Sequence, residues 1–337
     1  MLGVFLGYPR RLSPDRKALM IVTITPNPSL DYTYELPAGE FSLGGVIRPL
    51  ATRCDAGGKG VNVARALSLN GFRSRAVLTL GQTEGQHILD LLMLEDLDTR
   101  PLLVKGASRV NVTLVDVAGN TTKINSLGSP ISPGECRGLV ALAITATDEI
   151  DWLVTCGSLP PTVDKGFHAM AVEGGKSIGA KTAVDCTGEP LLLACKAGVD
   201  LIKPNVHELR DIVKRELTTL GEIIAAAKEV IEIGCKSVLV SMGSQGAVYV
   251  SATDVLYATA PKVKPRSTSG AGDSSLAGFL SKIDQGLDAA LLESMAWGAA
   301  AVGLPGSQMP VDADIAPLRG ISKVTREPDL SLVIVGD

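Results

Sequence analysis

From residue 152 onward the chain alternates apolar runs of strand length with stretches of helical period. The runs are 152–156, 182–186, 199–202, 237–241 and 247–250, and the helical stretches are 163–174, 190–197, 206–216 and 220–233. A strand lying parallel to its neighbour needs a long crossover, and a helix usually supplies it. The rhythm therefore predicts an α/β fold: a doubly wound, mainly parallel sheet with helices on both faces. Such sheets bind ligands beyond the carboxyl ends of their strands. The residues that close each run are thus the ones to watch.

The first half follows the same logic with one interruption. Residues 21–25 read as a buried strand stopped by Pro26 and Pro28, with 75–80 a further strand and 86–96 a helix. Asp31 falls just past the first strand, where it could bind substrate hydroxyls or cap a turn. Residues 32–52 are irregular, with short β-prone pieces between Gly39, Gly44 and Gly45. Residues 108–116 and 121–125 read as a hairpin turning at Ala118-Gly119-Asn120. Together, 32–52 and 108–126 predict a small β-sheet lid. Arg109, at the start of that hairpin, could grip a phosphate bidentately or be merely solvated. Residues 1–19 read as a loose extension, with charges after the apolar piece rather than before it, unlike a signal peptide. One domain over 20–325 with a lid is expected.

Two glycine-rich turns each feed a helix. In Asp55-Ala56-Gly57-Gly58-Lys59-Gly60-Val61-Asn62 no Ser or Thr follows the lysine, so this is not a Walker A loop. Its glycines allow close backbone approach, Lys59 offers a point charge, and Asn62 faces the same mouth. Tight helix–sheet packing is the plainer use of such glycines. In Ser269-Gly270-Ala271-Gly272-Asp273 the apolar pattern Leu276, Phe279, Leu280, Ile283 begins directly afterwards. Unpaired amides and a positive helix end favour an anion there. An aspartate beside such an anion suits phosphoryl transfer, as the base for an attacking hydroxyl. The plainer reading is a helix with an acid in its first turn.

Polar groups recur after the second-half strands. Ser158 follows one, Lys203-Pro204-Asn205-Val206-His207-Glu208 another, and Ser241-Met242-Gly243-Ser244-Gln245-Gly246 a third. Asn205 and Glu208 could hold Mg²⁺ through its waters, or simply cap a helix.

The formal net charge is -4 and no basic block occurs, which argues against nucleic-acid and anionic-membrane partners. No apolar run is long enough for a bilayer. Six cysteines lack any C-x-x-C pair and several sit in apolar runs, which points to reduced thiols and the cytoplasm. His87, His168 and His207 have no metal spacing.

Taken in order, these motifs resemble the ribokinase-like (PfkB) family of carbohydrate kinases over about residues 20–320. The resemblance rests on GGKGVNVA at 57–64 and GAGDS at 270–274, with the G-S-L-P-P, K-P-N-x-x-E and S-M-G-S-Q-G runs between them. The opening T-P-N-P-S-L-D at 25–31, the lysine of GGKG and Arg109 resemble the branch of 1-phosphofructokinases and tagatose-6-phosphate kinases. Resemblance implies Asp273 as the base and the amides of Gly270, Ala271, Gly272 and Asp273 as an anion hole. It implies Asp31, Gly57, Gly58, Lys59, Gly60, Asn62, Arg109 and Ser158 around the sugar phosphate. Lys203, Asn205, Glu208, Ser241, Gly243, Gly246 and Gly272 would serve ATP, with Mg²⁺ at Asn205 and Glu208, and a homodimer through the lid is expected. Ser269 replaces the family's usual valine, and 44–48 lacks a lysine that some 6-phosphofructokinases carry. The first change should leave the amides intact, and the missing lysine argues against fructose 6-phosphate. Fructose 1-phosphate is the substrate the resemblance implies, with tagatose 6-phosphate the near rival and fructose 6-phosphate the next. A non-catalytic sugar-phosphate sensor on the same fold is the reading of another class.

Overall fold

A computed structural model describes residues 19–38 and 44–334. The expected loose extension therefore lies outside the described residues, apart from Leu19. So does Gly39 of the lid's first segment.

Strand β1 (Met20–Thr25) is buried along its whole length, as its apolar run requires. Pro26 and Pro28 end it and lead into β2 (Ser29–Glu35). β3 (Ala51–Gly57) runs straight into helix α1 (Lys59–Leu69) through Gly58, whose φ of 132° a side chain would strain. Next come β4 (Arg73–Leu80), α2 (Gln82–Leu94), β5 (Thr99–Leu103), the hairpin β6 (Arg109–Val115) and β7 (Thr121–Asn125), then α3 (Pro133–Ile144). The second half supplies β8 (Trp152–Cys156), α4 (Phe167–Ser177), β9 (Lys181–Asp185), α5 (Glu189–Lys196), β10 (Leu201–Ile202), α6 (Val206–Val213) and α7 (Leu220–Ile233). The chain closes with β11 (Ser237–Ser241), β12 (Ala247–Ser251), β13 (Val255–Ala258), α8 (Ala271–Lys282), α9 (Leu287–Val302), α10 (Asp312–Ile315) and β14 (Val324–Thr325).

Among the described residues, ten strands form one sheet in the order β14-β13-β12-β11-β10-β9-β8-β1-β4-β5. The run from β5 to β11 is parallel, and β12, β13 and β14 are antiparallel. β1 lies between β4 and β8, so the chain builds outward from it in both directions. This is the switch point at which a doubly wound sheet opens a crevice at its carboxyl edge. Packing on the two faces is set by α8 and α9 with Trp297 and Phe279, and by α4, α5 and α7. The expected sheet is present, extended by an antiparallel edge. The packed body runs past residue 325: Leu220 and Gly221 donate backbone bonds to the carbonyls of Leu332 and Leu330.

The lid is a separate four-stranded sheet, β3-β2-β6-β7. It occupies more of the chain than 32–52 and 108–126 suggest, beginning at Ser29 and keeping Gly57. Asp31 therefore sits inside a lid strand rather than at the end of β1. Its register pairs Asp31 with Asn111, Asn111 with Asn125 and Thr113 with Lys123. Side chains alternate along strands, so Ser29, Asp31, Arg109, Asn111, Lys123 and Asn125 share one polar face. Tyr34, Val112, Leu114 and Ile124 share the other.

Several helix boundaries differ from expectation. α4 covers 167–177 instead of 163–174, α2 covers 82–94 instead of 86–96, α5 is shifted by one residue, and α6 stops at 213, while α3 and α9 have no counterpart in the expected list. The start of α3 is a reciprocal cap between Ser132 and Glu135.

Candidate active site

The two glycine turns meet on the same side of the molecule, at a cleft of about 430 Å³ between the lid's polar face and the carboxyl edge of the main sheet. Gly58 precedes α1 and Gly270, with φ 79°, precedes α8. Both helices therefore aim free amides and a positive end at the cleft. Asp273 stands in the first turn of α8 and is 6% exposed. Its Oδ2 accepts a hydrogen bond of 2.8 Å from Asn62 Nδ2 on α1, which joins the two motifs directly. Burial pushes the Asp273 carboxyl above its ordinary value, and Asp185 adds to this; Lys59, Lys203 and the Asn62 bond pull the other way without cancelling it. A carboxylate moved toward neutrality is a stronger base, as proton abstraction requires.

The floor carries an acid that the sequence reading passed over. Asp185 ends β9 and is 2% exposed. Lys59 Nζ lies 2.8 Å from its Oδ1 and Lys203 Nζ 3.3 Å from its Oδ2. Burial alone would raise the Asp185 carboxyl, but the two ammonium groups outweigh it and hold it at about 2. For Lys59 the pull of burial is downward, and Asp185, Asp273 and Glu208 reverse it, so the ammonium stays charged. The signal for Asp185 was its position, a lone acid closing an apolar strand at the ligand-binding edge.

Several expected residues converge on the cleft: Asp31, Gly58, Lys59, Asn62 and Arg109 from one side, and Lys203, Asn205, Glu208 and Ser241 from the other. Gly270, Gly272 and Asp273 complete it, and Ala271 contributes the first backbone position of α8. Gly272 faces Lys203: a Cβ there would stand 3.1 Å from the Lys203 ammonium. Gly57 serves Asp31, because a Cβ at 57 would come within 2.0 Å of Asp31 Oδ2. Asp31 Oδ1 accepts from Asn111 Nδ2 at 2.9 Å.

Besides Gly57 and Ala271, four expected residues do not line it. A Cβ at Gly60 would meet Thr25 Oγ1 at 2.5 Å and the Ile24 carbonyl at 2.9 Å, so this glycine allows α1 to pack on β1. A Cβ at Gly246 would strike the Ala258 carbonyl at 1.9 Å, which ties that glycine to the β12–β13 edge. Gly243 opens the short turn after β11. Ser158 is exposed and accepts a 3.3 Å bond from Asn27 Nδ2.

Two side chains are more occupied than expected. Arg109 donates from Nε to the Asn27 carbonyl and from Nη1 to the Ser126 carbonyl, each at 3.1 Å. It clamps two lid connections as well as facing the cleft. Asn205 and Glu208 form a reciprocal cap on α6, with bonds of 2.8 and 2.9 Å. That bond uses one of the two Glu208 oxygens. Lid residues Asn111, Lys123 and Asn125 also face the cleft and were missed, although their alternation with Val112 and Ile124 marks the polar parity.

Among the described residues no group of three His, Cys, Asp or Glu side chains could hold a metal ion by themselves. The donor set fits magnesium held mostly through water and phosphate oxygens. Asp185 Oδ2 is buried with only the Lys203 ammonium, 3.3 Å away, beside it, and Asn205 and Glu208 line the same cleft. His168 is far from such a role. It is fully buried, with Nδ1 2.8 Å from Thr155 Oγ1 and Nε2 3.2 Å from the Gly157 carbonyl. His87 and His207 are exposed. All six cysteines are free thiols, five of them buried. No helix among the described residues is long and apolar enough to cross a membrane.

Known proteins resemble this chain along most of its length. The family model described as pfkB family carbohydrate kinase matches residues 25–313. A 1-phosphofructokinase of Bacillus subtilis is 35% identical over 268 residues, 80% of this chain and 87% of that protein. The ATP-dependent 6-phosphofructokinase isozyme 2 of Escherichia coli is 33% identical over 284 residues, 83% of this chain and 90% of that protein. The solved phosphofructokinase-2 of Escherichia coli in complex with potassium superposes with a TM-score of 0.84 at 30% identity, covering 90% of this chain and 99% of that one. The ribokinase-like fold expected from the motifs is therefore the fold observed.

Proposed function

The chain belongs to the pfkB family of carbohydrate kinases, and on that premise we propose that it transfers the γ-phosphate of ATP to a phosphorylated ketohexose. The acceptor we assign is fructose 1-phosphate, giving fructose 1,6-bisphosphate. One observation carries the reading: a buried Asp273 with a raised carboxyl, hydrogen-bonded to Asn62, at a helix tip facing lysines across a polar cleft.

Asp273 takes the proton of the sugar's 6-hydroxyl as that oxygen attacks the γ-phosphorus and ADP departs. The amides from Gly270 to Asp273, with the positive end of α8, hold the charge that builds on the transferring group. Asp31, Gly58, Lys59, Asn62 and Arg109 hold the sugar phosphate. Lys203, Asn205, Glu208, Ser241 and the 243–246 turn serve the nucleotide. Gly57, Gly60 and Ser158 support these positions from behind. Magnesium, when bound, offsets charge on the nucleotide's phosphates, and Asp185, Asn205 and Glu208 would hold its water shell. The buried thiols suit a reducing compartment, the cytoplasm. The lid's apolar face, with Ile124 59% exposed beside Val112 and Leu114, suits a homodimer formed lid to lid. Gel filtration giving only monomer at micromolar concentration would remove that element.

Fructose 6-phosphate and tagatose 6-phosphate are the competing acceptors, the first supported by the likeness to the Escherichia coli isozyme. A coupled ADP-release assay over the three sugar phosphates, free fructose and ribose tests the proposal. The highest kcat/KM is expected for fructose 1-phosphate. A better rate with an unphosphorylated sugar overturns the phosphate roles, and binding without turnover of any sugar favours a sensor.

A further inference from the structure

Behind Asp273 runs a chain of contacts that leads away from the cleft. Asn62 donates from Nδ2 to Asp273, and its Oδ1 accepts from Arg65 Nη1 at 2.8 Å. Arg65, one turn further along α1, also donates from Nη2 to the Ala56 carbonyl at the end of lid strand β3, at 2.7 Å. Its remaining edge is held by Glu95, just past α2, with Nε–Oε2 2.6 Å and Nη2–Oε1 3.2 Å. The Arg65 side chain is 11% exposed and that of Glu95 36%. Arg65 does not line the cleft.

A primary amide has two nearly isosteric ends of opposite polarity. Turned one way, Asn62 donates to the Asp273 carboxylate; turned the other, it sets a carbonyl oxygen against it. A guanidinium is donor-only, so an arginine on Oδ1 selects the first orientation. Resting on the reading of Asp273 as base, we propose that Arg65 is a positioning residue of this site. It locks the Asn62 amide so that one Asp273 oxygen is occupied and the other is presented to the acceptor hydroxyl. Glu95 holds Arg65 in that pose, and the bond to Ala56 ties the same guanidinium to the root of the lid.

The test is a double-mutant cycle in the full-length enzyme with Arg65→Met and Asn62→Ala. Arg65→Met should lower kcat by about tenfold, the scale of one charge-assisted hydrogen bond. KM for ATP and for the sugar phosphate should change less than twofold by the same logic, about what a group outside the binding surface contributes. The acid limb of the pH–rate profile should move to higher pH, because a lost donor raises a carboxylate. The other charged groups facing Asp273 are Lys59 from α1, Asp185 from β9 and Lys203 after β10, all unaltered in both variants. The double variant should be no slower than Asn62→Ala alone. Additive losses, or an unmoved acid limb, overturn the proposal, since a merely structural arginine would produce either. If Arg65→Met does not fold, Glu95→Gln replaces it in the same cycle with a smaller shift in the same direction. Asp273→Asn separates the two readings: near-full turnover there defeats the base itself, whereas an inactive Asp273→Asn with an additive cycle defeats only the role of Arg65.

Discussion

Lys59 Nζ and Asp185 Oδ1, 126 positions apart in the chain, meet at 2.8 Å on the floor of the cleft. The contact ties the first glycine turn to the end of β9, and Lys203 reaches the other oxygen of the same carboxylate. Asp185→Asn keeps the shape and removes the charge. It leaves a 5% exposed Lys203 ammonium without its counter-ion. Stability should fall by about 3 kcal/mol, the scale for breaking a buried pair. Urea denaturation measures this; an unchanged midpoint would mean that the lysines are satisfied elsewhere.

Asp273→Asn should retain sugar-phosphate and nucleotide binding while kcat falls by about a hundredfold or more, as for a lost general base. In the native enzyme, burial holds this carboxyl above 3.8. The base works only when deprotonated, so turnover should decline as pH falls through that raised value. The decline should begin at higher pH than an ordinary aspartate would give. A kcat profile measured on the acid side checks both points, provided the protein is shown to stay folded across the range.

Arg109→Ala should raise KM for the sugar phosphate far more than KM for ATP, because Arg109 starts the lid strand that lies beside Asp31. It also frees the Asn27 and Ser126 carbonyls, so some loss of lid order is expected with it. Steady-state kinetics with each substrate varied in turn will tell; equal rises in both constants would place its main effect on the frame.

His168 predicts a pH-dependent stability. Burial drives its ring down from 6.5 to about 4. The unfolded chain therefore takes up a proton between those values that the folded chain refuses. Stability is full above about pH 6.5 and is lost as pH falls toward 4, by about 3 kcal/mol in total. Thermal melts from pH 7 to 4.5 should show a shallower decline for His168→Gln than for the native protein. Parallel declines would remove His168 from the acid response.

Much of this architecture was legible in the residues. β8, α7 and β11 have the bounds that their apolar runs suggest, because strand length and helical period leave little choice there, and β7 has those set by the hairpin turn at 118–120. The glycine turns also met as expected. Less legible was Asp31, since the two prolines that end β1 equally well begin a lid strand. Gly60 and Gly246 were read as ligand-facing, yet their missing Cβ atoms leave room for Thr25 and Ala258. A glycine makes space without saying for what. Asp185 escaped because Lys59 lies 126 residues away, and Arg65 because Glu95, which holds it against Asn62, lies thirty away; such pairings leave no local pattern.

The polar parity of the lid and the acids of the main sheet belong to different structural units. The residues that would choose an acceptor hang on four short strands, and the group that would react with it is anchored in a helix of the larger body. Alternate positions in those strands can be exchanged by evolution without disturbing Asp273, Asp185 or their lysines. A scaffold divided in this way should diversify in what it phosphorylates more readily than in how, and an engineer seeking a new acceptor should start from Asn111, Lys123 and Asn125.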